Sequence, residues 1–347
     1  MKHSLDRAEF YITNVCNYNC EHCNRFNNYH FNGHQLWDDY AELYSQWGDK
    51  LSVGYISILG GEPLLNPSIN KWIDGVANIW KGKTLEIVTN GTRLNKVKNL
   101  YNTIQAHPNI FIHIGLHNRD HLDDMIESVK EFLHGECIVR NIYPMDIGAL
   151  WNMEYKKIRN DDWPPCETPS DFENLPNYVK EICSENDFDA ESFLKFNCIT
   201  RVIDENNVRV EIHIEDIFHR SAIKRTESTF TVHNSNPSNA HSICFEKHNH
   251  HFIRGKLYKC NVSGVLPDFH KQFHLEMSDS DTKLMNSYKP LMINDSDDVF
   301  SNFISEIKNE IPQCKFCPEG KLDSFRLSPS TTKIKVNKKK IKVDTVG

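Results

Sequence analysis

The sequence predicts an α/β protein built on a parallel sheet, followed by a smaller segment of different character. In the first half, short runs rich in β-branched and aromatic residues alternate with longer stretches whose apolar residues recur every three to four positions. This alternation is typical of βαβ units and hence of parallel strands. The segment from about Pro144 to Lys195 is irregular, and the character of the chain changes beyond Asn197; 347 residues are enough for a large core with a smaller domain attached.

Each element of the first half follows from its own pattern. Four helical stripes begin at Leu36, Ile69, Leu94 and Leu122, and we expect their aromatic residues to pack in the core. The proline-rich stretch at 161–171 predicts a loop within an irregular middle region. The five predicted strands are Phe10–Thr13, Val53–Leu59, Leu85–Thr89, Ile110–Leu116 and Cys137–Tyr143.

The second half is interpreted as strands, a linker, a hairpin and a last helix. The segment SNPSNAHS at 235–242 is interpreted as the linker, and His248, His250 and His251 are assigned to a solvated turn. The remaining elements are strands at Val208–Ile214 and Thr229–His233, a hairpin within Ile253–Cys260 that turns at Gly255, and a helix from Val299 that Pro312 stops.

Composition excludes several classes of function. An apolar content of 39% and a charged content of 25% are typical of a globular protein, and a net charge of −7 argues against nucleic-acid binding. No stretch is apolar enough to span a membrane, and Met1–Phe10 lacks the features of a signal peptide. We therefore expect a cytoplasmic protein whose eleven cysteines serve metal ligation more than disulfides. The basic tail Lys333–Lys342 is interpreted as a solvated edge strand or frayed end.

Three cysteines stand close together after the first predicted strand. Cys16, Cys20 and Cys23 can hold three irons of a cubane [4Fe–4S] cluster and leave the fourth iron open for a ligand. The alternative is a structural zinc site, in which a nearby histidine completes a Cys₃His tetrahedron. The histidines in range are His22, His30 and His34.

Two further motifs follow the next two strands. Gly60 and Gly61 allow a close backbone approach to a ligand, and Glu62 directly after them can accept a hydrogen bond from an ammonium group. Asn90 and Gly91 follow the third strand. Ligands of parallel α/β folds gather at the carboxyl ends of the strands, so these motifs are candidates for one site. A zinc site explains neither of them.

The CxxxCxxC loop, the GGEP sequence and the TNG sequence together resemble the radical S-adenosylmethionine (SAM) superfamily over roughly Glu9–Tyr143. The resemblance implies a partial (β/α)₆ barrel with SAM across the carboxyl ends of its strands, and a contact from Glu62 to the amino group of SAM. It also implies reductive cleavage of SAM to a 5′-deoxyadenosyl radical that removes hydrogen from a substrate, with flavodoxin or ferredoxin as electron donor. His117 and Arg140 are the polar candidates for further SAM contacts, with exposed surface side chains as the alternative.

Four late cysteines form a second set. Cys244, Cys260, Cys314 and Cys317 could complete one [4Fe–4S] cluster or one Cys₄ zinc site. Their spacing resembles the twitch domain, an auxiliary-cluster domain of radical SAM enzymes. The related SPASM domain carries seven cysteines, so a set of four favours the twitch domain. The other four are expected to be buried as small apolar side chains. They are Cys137, Cys166, Cys183 and Cys198.

The predicted domain order follows from these motifs. Residues 1–234 would form the barrel and a connector, residues 235–330 a small α+β auxiliary iron–sulfur domain, and residues 331–347 the basic tail. Fifteen residues precede Cys16, which leaves no room for an N-terminal peptide-recognition domain and favours oxidation of a small-molecule or sugar-type substrate over a peptide. The alternatives are a peptide (RiPP) maturase and a non-catalytic zinc-binding structural protein.

Overall fold

The protein is described by a computed structural model that covers residues 2–20, 23–29, 31–142, 173, 180, 199–215, 217–218, 221–226, 229–319 and 325–326. The described residues divide into two compact units. Unit 1 combines Met1–Val88 with Ile217–Gly347, and unit 2 is Thr89–Asp216. The predicted loop at 161–171 and the basic tail lie outside the described residues. The domain boundary at residue 234 stays a prediction.

The helices and strands of the described residues follow the predicted alternation. The strands are β1 (His3–Tyr11), β2 (Leu51–Leu59), β3 (Thr84–Thr89), β4 (Ile110–Leu116), β5 (Cys137–Ile142), β6 (Ile199–Asp204), β7 (Arg209–Ile214), β8 (Ile217–Phe218), β9 (Ile223–Arg225), β10 (Phe230–Val232), β11 (His250–Ile253), β12 (Lys256–Tyr258), β13 (Leu275–Glu276) and β14 (Phe325–Arg326). The α-helices are α1 (Trp37–Lys50), α2 (Ile69–Ile79), α3 (Leu100–Gln105), α4 (Leu122–Leu133), α5 (Pro237–Ser242), α6 (Asn261–Phe273), α7 (Asp279–Ser287) and α8 (Asp297–Glu306).

The sheet of unit 1 runs β12-β11-β1-β2-β3, with parallel pairing except between β11 and β12. One face of β1 is apolar because side chains alternate along a strand. Phe10 on that face packs on Tyr44 of α1 and Trp72 of α2, with ring centroids 5.1 and 6.2 Å apart. All three rings are fully buried, which confirms the predicted core packing of Tyr44 and Trp72, whereas Trp37 and Tyr40 are only partly buried.

Two predictions for the second half are wrong. The expected linker contains α5, because the Asn236 side chain accepts from the backbone N–H groups of Ser238 and Asn239 and Pro237 suits the first turn. The expected solvated histidine turn is strand β11, where His250 and His251 are 1% and 0% exposed. This strand pairs in parallel with β1, so both histidines lie inside the sheet.

The sheet of unit 2 runs β4-β7-β6-β5. β4 and β7 are parallel, whereas β6 is antiparallel to both of its neighbours. The strand predicted at Cys137 therefore exists but does not extend the parallel pattern, since local sequence does not encode strand direction. The α/β fold class with a large parallel component is confirmed.

None of the helices in the described parts of the chain has the length and apolar character required to cross a bilayer.

Candidate functional site

The first cysteine loop leaves the carboxyl end of β1 and is held by its own backbone and by a buried asparagine. The Cys23 N–H donates to the Cys20 carbonyl at 3.2 Å, which closes a turn between two of the three thiols. The Asn27 amide donates to the Asn14 carbonyl at 2.6 Å and to the Tyr11 hydroxyl at 3.0 Å. These bonds tie the end of the loop to its beginning, so the thiols are presented from a closed loop.

The thiols of this loop lie within electrostatic range of one another and of Glu62. Burial raises the pKa of Cys16 to about 12, and the neighbouring Cys23 and Glu62 add to the shift. The pKa of Tyr18 is raised by burial and then by Cys20, Glu62 and Cys16. Several potential anions around one loop favour a bound cation, and thiolates are the usual ligands of iron–sulfur clusters. The donor set therefore fits a cluster held by three thiolates.

The two glycines after β2 have a role that the sequence did not predict. The Gly61 N–H donates to the Thr13 carbonyl at 2.8 Å, and a Cβ on Gly61 would lie 2.4 Å from the Val15 carbonyl oxygen and 3.0 Å from the Cys16 Cβ. A Cβ on Gly60 would lie 2.5 Å from the Thr13 carbonyl oxygen. The absence of a side chain at both positions leaves room for the backbone of the cysteine loop to pack against them. Their contact with SAM stays a prediction.

Glu62 is fully buried beside this loop. Its N–H donates to the Val15 carbonyl at 2.8 Å, and its Oε1 accepts from the Leu64 N–H at 3.0 Å at the start of a short 3₁₀ helix. Main chain and side chain are both fixed, so the carboxylate has a set orientation next to Cys16. Its contact with the amino group of SAM stays a prediction.

Asn90 is the second residue of unit 2, and its buried side chain forms local hydrogen bonds. Its Oδ1 accepts from the Thr92 N–H at 3.1 Å and the Thr92 hydroxyl at 2.6 Å. Gly91 adopts a φ of +77°, and a Cβ there would lie 2.9 Å from the Met125 sulfur. Glycine is therefore favoured at this turn by its positive φ.

His117 and Arg140 occupy different parts of unit 2. The His117 Nδ1 lies 3.1 Å from the Glu215 carbonyl oxygen at the end of β4. Arg140 is exposed on β5 opposite Arg201, and strands β6 and β7 separate β5 from β4. The structure therefore does not bring Arg140 next to His117. A role for either residue or for Asn90 in binding SAM stays a prediction.

The four late cysteines come together in unit 1. All four line one cavity. Cys244 precedes a 3₁₀ helix at Phe245–His248, Cys260 caps α6, and the Cys317 N–H donates to the Cys314 carbonyl at 3.0 Å. Residues far apart in the sequence thus form one four-thiol set.

The electrostatics of this cavity also fit a metal centre. Burial raises the pKa of Cys244 to about 12 and of Cys260 to about 11, and both are raised further by neighbouring anions. The pKa of Cys317 is raised by burial and then by the other three thiols. Lys259 offers one positive charge nearby, but its ammonium donates to the Ile307 carbonyl at 2.7 Å. Four deprotonated thiols would require metal ions here, and the metal would displace their protons.

Cys137 is partly exposed, contrary to expectation, and the other three cysteines expected to be buried lie outside the described residues.

Unit 1 contains a buried ion-pair network that was not predicted from the sequence. The His251 Nε2 lies 2.9 Å from a Glu246 oxygen and 3.3 Å from a Glu9 oxygen, and ligand atoms of all three residues lie within 4.8 Å of one another. The guanidinium groups of Arg7 and Arg25 lie 3.3 and 3.4 Å from Glu9. These cations already balance the carboxylates, so the group forms an ion-pair network. The sequence signal for this network was Glu9, a charged residue within the otherwise apolar end of strand β1.

Unit 2 holds a second acidic cluster that was missed, on neighbouring strands β4 and β7. The His113 and His213 rings stack with centroids 3.7 Å apart. Although burial alone would raise the pKa of Glu211, the hydrogen bond from His213 and the nearby arginines lower it to about 2. Burial likewise opposes ionisation of Glu215, but His113 lowers its pKa to about 2. This face of the sheet is therefore strongly polar.

Comparison with known proteins found two similar solved structures and one family model. Two crystal structures of Streptococcus suis SuiB are similar in fold: one bound to S-adenosylmethionine (17% identity, 52% of this chain and 48% of that chain, TM-score 0.32) and one bound to the precursor peptide SuiA (15% identity, 76% and 61%, TM-score 0.38). In the first alignment the chain spans about half of the length of SuiB. No curated protein matches the chain.

The family model of the radical SAM superfamily matches residues 10–134. This range contains the three cysteines after β1, the GGEP sequence after β2 and the TNG sequence after β3. The resemblance inferred from these motifs is confirmed for residues 10–134, which match the radical SAM superfamily model.

Proposed function

We propose that the chain is a radical SAM enzyme with two [4Fe–4S] clusters. Cys16, Cys20 and Cys23 would hold the SAM-binding cluster at three irons, and the four late cysteines would hold the auxiliary cluster. When bound, the first cluster and SAM supply one-electron cleavage to a 5′-deoxyadenosyl radical, which abstracts hydrogen from the substrate. The observation that carries the proposal is the packing of the three-cysteine loop against Glu62 within the matched domain.

The residues of this chain bind and orient the reactants. The closed loop presents three thiols whose protons leave when metal binds. Glu62 is held by the Leu64 N–H and would accept a hydrogen bond from the amino group of SAM. Because the carboxylate is fully buried, water competes little for that bond.

The auxiliary set supports an oxidation. Four cysteines line the cavity, which is the number that completes the ligation of a cubane cluster and leaves no iron open for substrate. We therefore assign this cluster to electron transfer or structure rather than to substrate binding. Free thiols in the described residues fit the expected cytoplasmic location, where flavodoxin or ferredoxin would serve as electron donor.

The first experiment measures iron and SAM cleavage together. We expect about eight irons per anaerobically reconstituted chain and formation of 5′-deoxyadenosine after reduction. Replacing Cys16, Cys20 and Cys23 by alanine should remove about half of the iron and all cleavage. Cys137→Ala, on strand β5, is the matched control and should retain both. Cleavage in the triple variant, or bound zinc in place of iron, would refute the proposal.

The substrate class is decided by a second assay. We propose a small-molecule or sugar-type substrate, with a precursor peptide as the alternative. Deuterated polar metabolites and precursor peptides from neighbouring genes are compared for deuterium transfer into 5′-deoxyadenosine. Transfer from a peptide alone would favour the maturase.

A further inference from the structure

The two cysteine sets of unit 1 meet at one residue, Asn24. It follows Cys23 directly; its backbone carbonyl and side-chain amide contact two different auxiliary segments, while its side-chain oxygen accepts from the Arg25 guanidinium at 3.4 Å. The Asn24 carbonyl accepts from the Asn261 amide at 2.8 Å, and Asn261 follows Cys260. The Asn24 amide donates to the Glu246 Oε1 at 3.2 Å, and Glu246 lies two residues after Cys244.

Both partners of Asn24 in the auxiliary segments are buried. Asn261 is 0% exposed and Glu246 is 5% exposed. The second carboxylate oxygen of Glu246 is held by the His251 Nε2 at 2.9 Å, so the acceptor facing Asn24 has a set orientation. On the other side, the Ser221 hydroxyl donates to the Cys23 carbonyl at 3.3 Å. Asn24 and the neighbouring Cys23 carbonyl are therefore held by several hydrogen bonds from buried or partly buried groups.

The position of these contacts matters more than their strength. Each contact lies within two residues of a predicted cluster ligand: Cys23 on one side, and Cys244 and Cys260 on the other. Displacement of Asn24 would shift Cys23 relative to both auxiliary segments. Buried hydrogen bonds are costly to break because the orphaned partner is left without water.

We propose that Asn24 is a shared positioning residue that, through Asn261 and Glu246, fixes the separation and mutual orientation of the two clusters. The proposal rests on the proposed function, since it presupposes both clusters. It assigns no catalytic contact to Asn24, because the residue acts through the cysteine beside it.

The test uses substitutions that separate hydrogen bonding from packing. Asn24→Asp keeps the size of the side chain but places a carboxylate opposite the Glu246 carboxylate, whereas Asn24→Ala removes the hydrogen bond and the packing of the amide without adding a charge. Asn261→Asp likewise sets an acceptor against the Asn24 carbonyl. The control is Asn249→Asp, because Asn249 is buried in the same segment and its backbone N–H bonds to Glu246 without contact to Asn24.

Two readouts are independent of turnover. The distance between the reduced clusters is measured by pulsed electron paramagnetic resonance, and amide hydrogen exchange at residues 23–29 is measured in the same loaded protein. We expect one narrow distance for the natural protein and a broad or shifted one for Asn24→Asp. Exchange should rise by about tenfold, more for aspartate than for alanine. If a variant at position 261 loses its auxiliary cluster, the two Asn24 variants still decide the question through exchange.

The results that overturn the proposal are distinct from failure of the proposed function. A narrow, unshifted distance with unchanged exchange in Asn24→Asp would refute the positioning role, as would an equal effect in Asn249→Asp. A greater effect for alanine than for aspartate would indicate packing alone and would also refute it. If the natural protein itself binds no iron, the proposed function fails first.

Discussion

At the scale of single residues, the Glu62 carboxylate is proposed to combine a structural role with SAM binding. Its Oε1 accepts from the Leu64 N–H at the start of a short helix, and its negative charge raises the pKa of nearby Cys16. A substitution that keeps the oxygen but removes the charge tests the second role separately.

We predict that Glu62→Gln weakens SAM binding by about ten- to a hundredfold and leaves both clusters in place, because a charge-assisted hydrogen bond contributes roughly 1.5–3 kcal/mol. Glutamine keeps an oxygen for the Leu64 N–H, so the local fold should persist. Binding is measured by calorimetry on the loaded protein, with the exposed Glu42→Gln as control. An unchanged dissociation constant would place the ammonium group of SAM elsewhere.

Gly61 is predicted to be intolerant of any side chain. In Gly61→Ala the new Cβ would lie 2.4 Å from the Val15 carbonyl oxygen, so the cysteine loop must shift. We expect loss of about half of the iron, with the auxiliary cluster retained. Gly135→Ala, whose Cβ meets nothing closer than 3.7 Å, should load normally. Full iron in Gly61→Ala would show that the loop adapts.

At the scale of elements, the auxiliary site depends on short pieces that have few contacts of their own. The 3₁₀ helix at Pro312–Phe316 carries Cys314, and the Lys315 carbonyl accepts from the Ser235 N–H at 2.9 Å just before α5. Such short elements gain stability from the groups they hold, and metal binding is coupled to folding in small sites of this kind.

We predict that the Cys314→Ala/Cys317→Ala double variant loses the auxiliary cluster and loosens α5 and the residues around 312–316. Cleavage of SAM should survive at least in part, because its cysteines lie in another loop, while product formation should fall much further. Hydrogen exchange, 5′-deoxyadenosine and product are measured together. Product yield equal to that of the natural protein would contradict this division between the two sites.

At the scale of the whole molecule, buried histidine makes stability depend on pH. His250 is 1% exposed, its Nδ1 lies 2.8 Å from the Lys259 carbonyl oxygen, and burial lowers its pKa to about 3. The unfolded chain binds a proton there below about pH 6.5, whereas the folded protein does not until about pH 3. Stability is therefore lost as the pH falls through this window.

For this group alone, the free energy of unfolding should fall by about 1.4 kcal/mol between pH 7.5 and 5.5. The fall should be smaller by that amount in His250→Asn, whereas exposed His121→Asn should match the natural protein. Denaturant unfolding of the metal-free chain at the two pH values measures the difference. An identical fall in the natural protein and His250→Asn would show that His250 is accessible to protons.

Local patterns predicted much of the fold and of the first site. The spacing of apolar residues, every second position in strands and every three to four in helices, identified β1 to β5 and the helices between them, because amphipathic faces must be buried. The cysteine loop, Glu62 and Asn90 were recognisable because cluster ligands and strand-end motifs are close in sequence. Asn236 also carried a local signal, an asparagine cap before proline, that was interpreted as a linker.

The sequence by itself therefore determined the α/β class, the radical SAM domain and the cysteines that belong to each set. Only the tertiary structure decided that β5 is antiparallel to β6, that His250 and His251 are buried beside β1, and that Asn24 meets both auxiliary segments. The physical reason is separation along the chain. Pairing between Asn24 and Asn261, more than two hundred residues apart, depends on how the sheet brings β11 next to β1, and no local pattern encodes that choice.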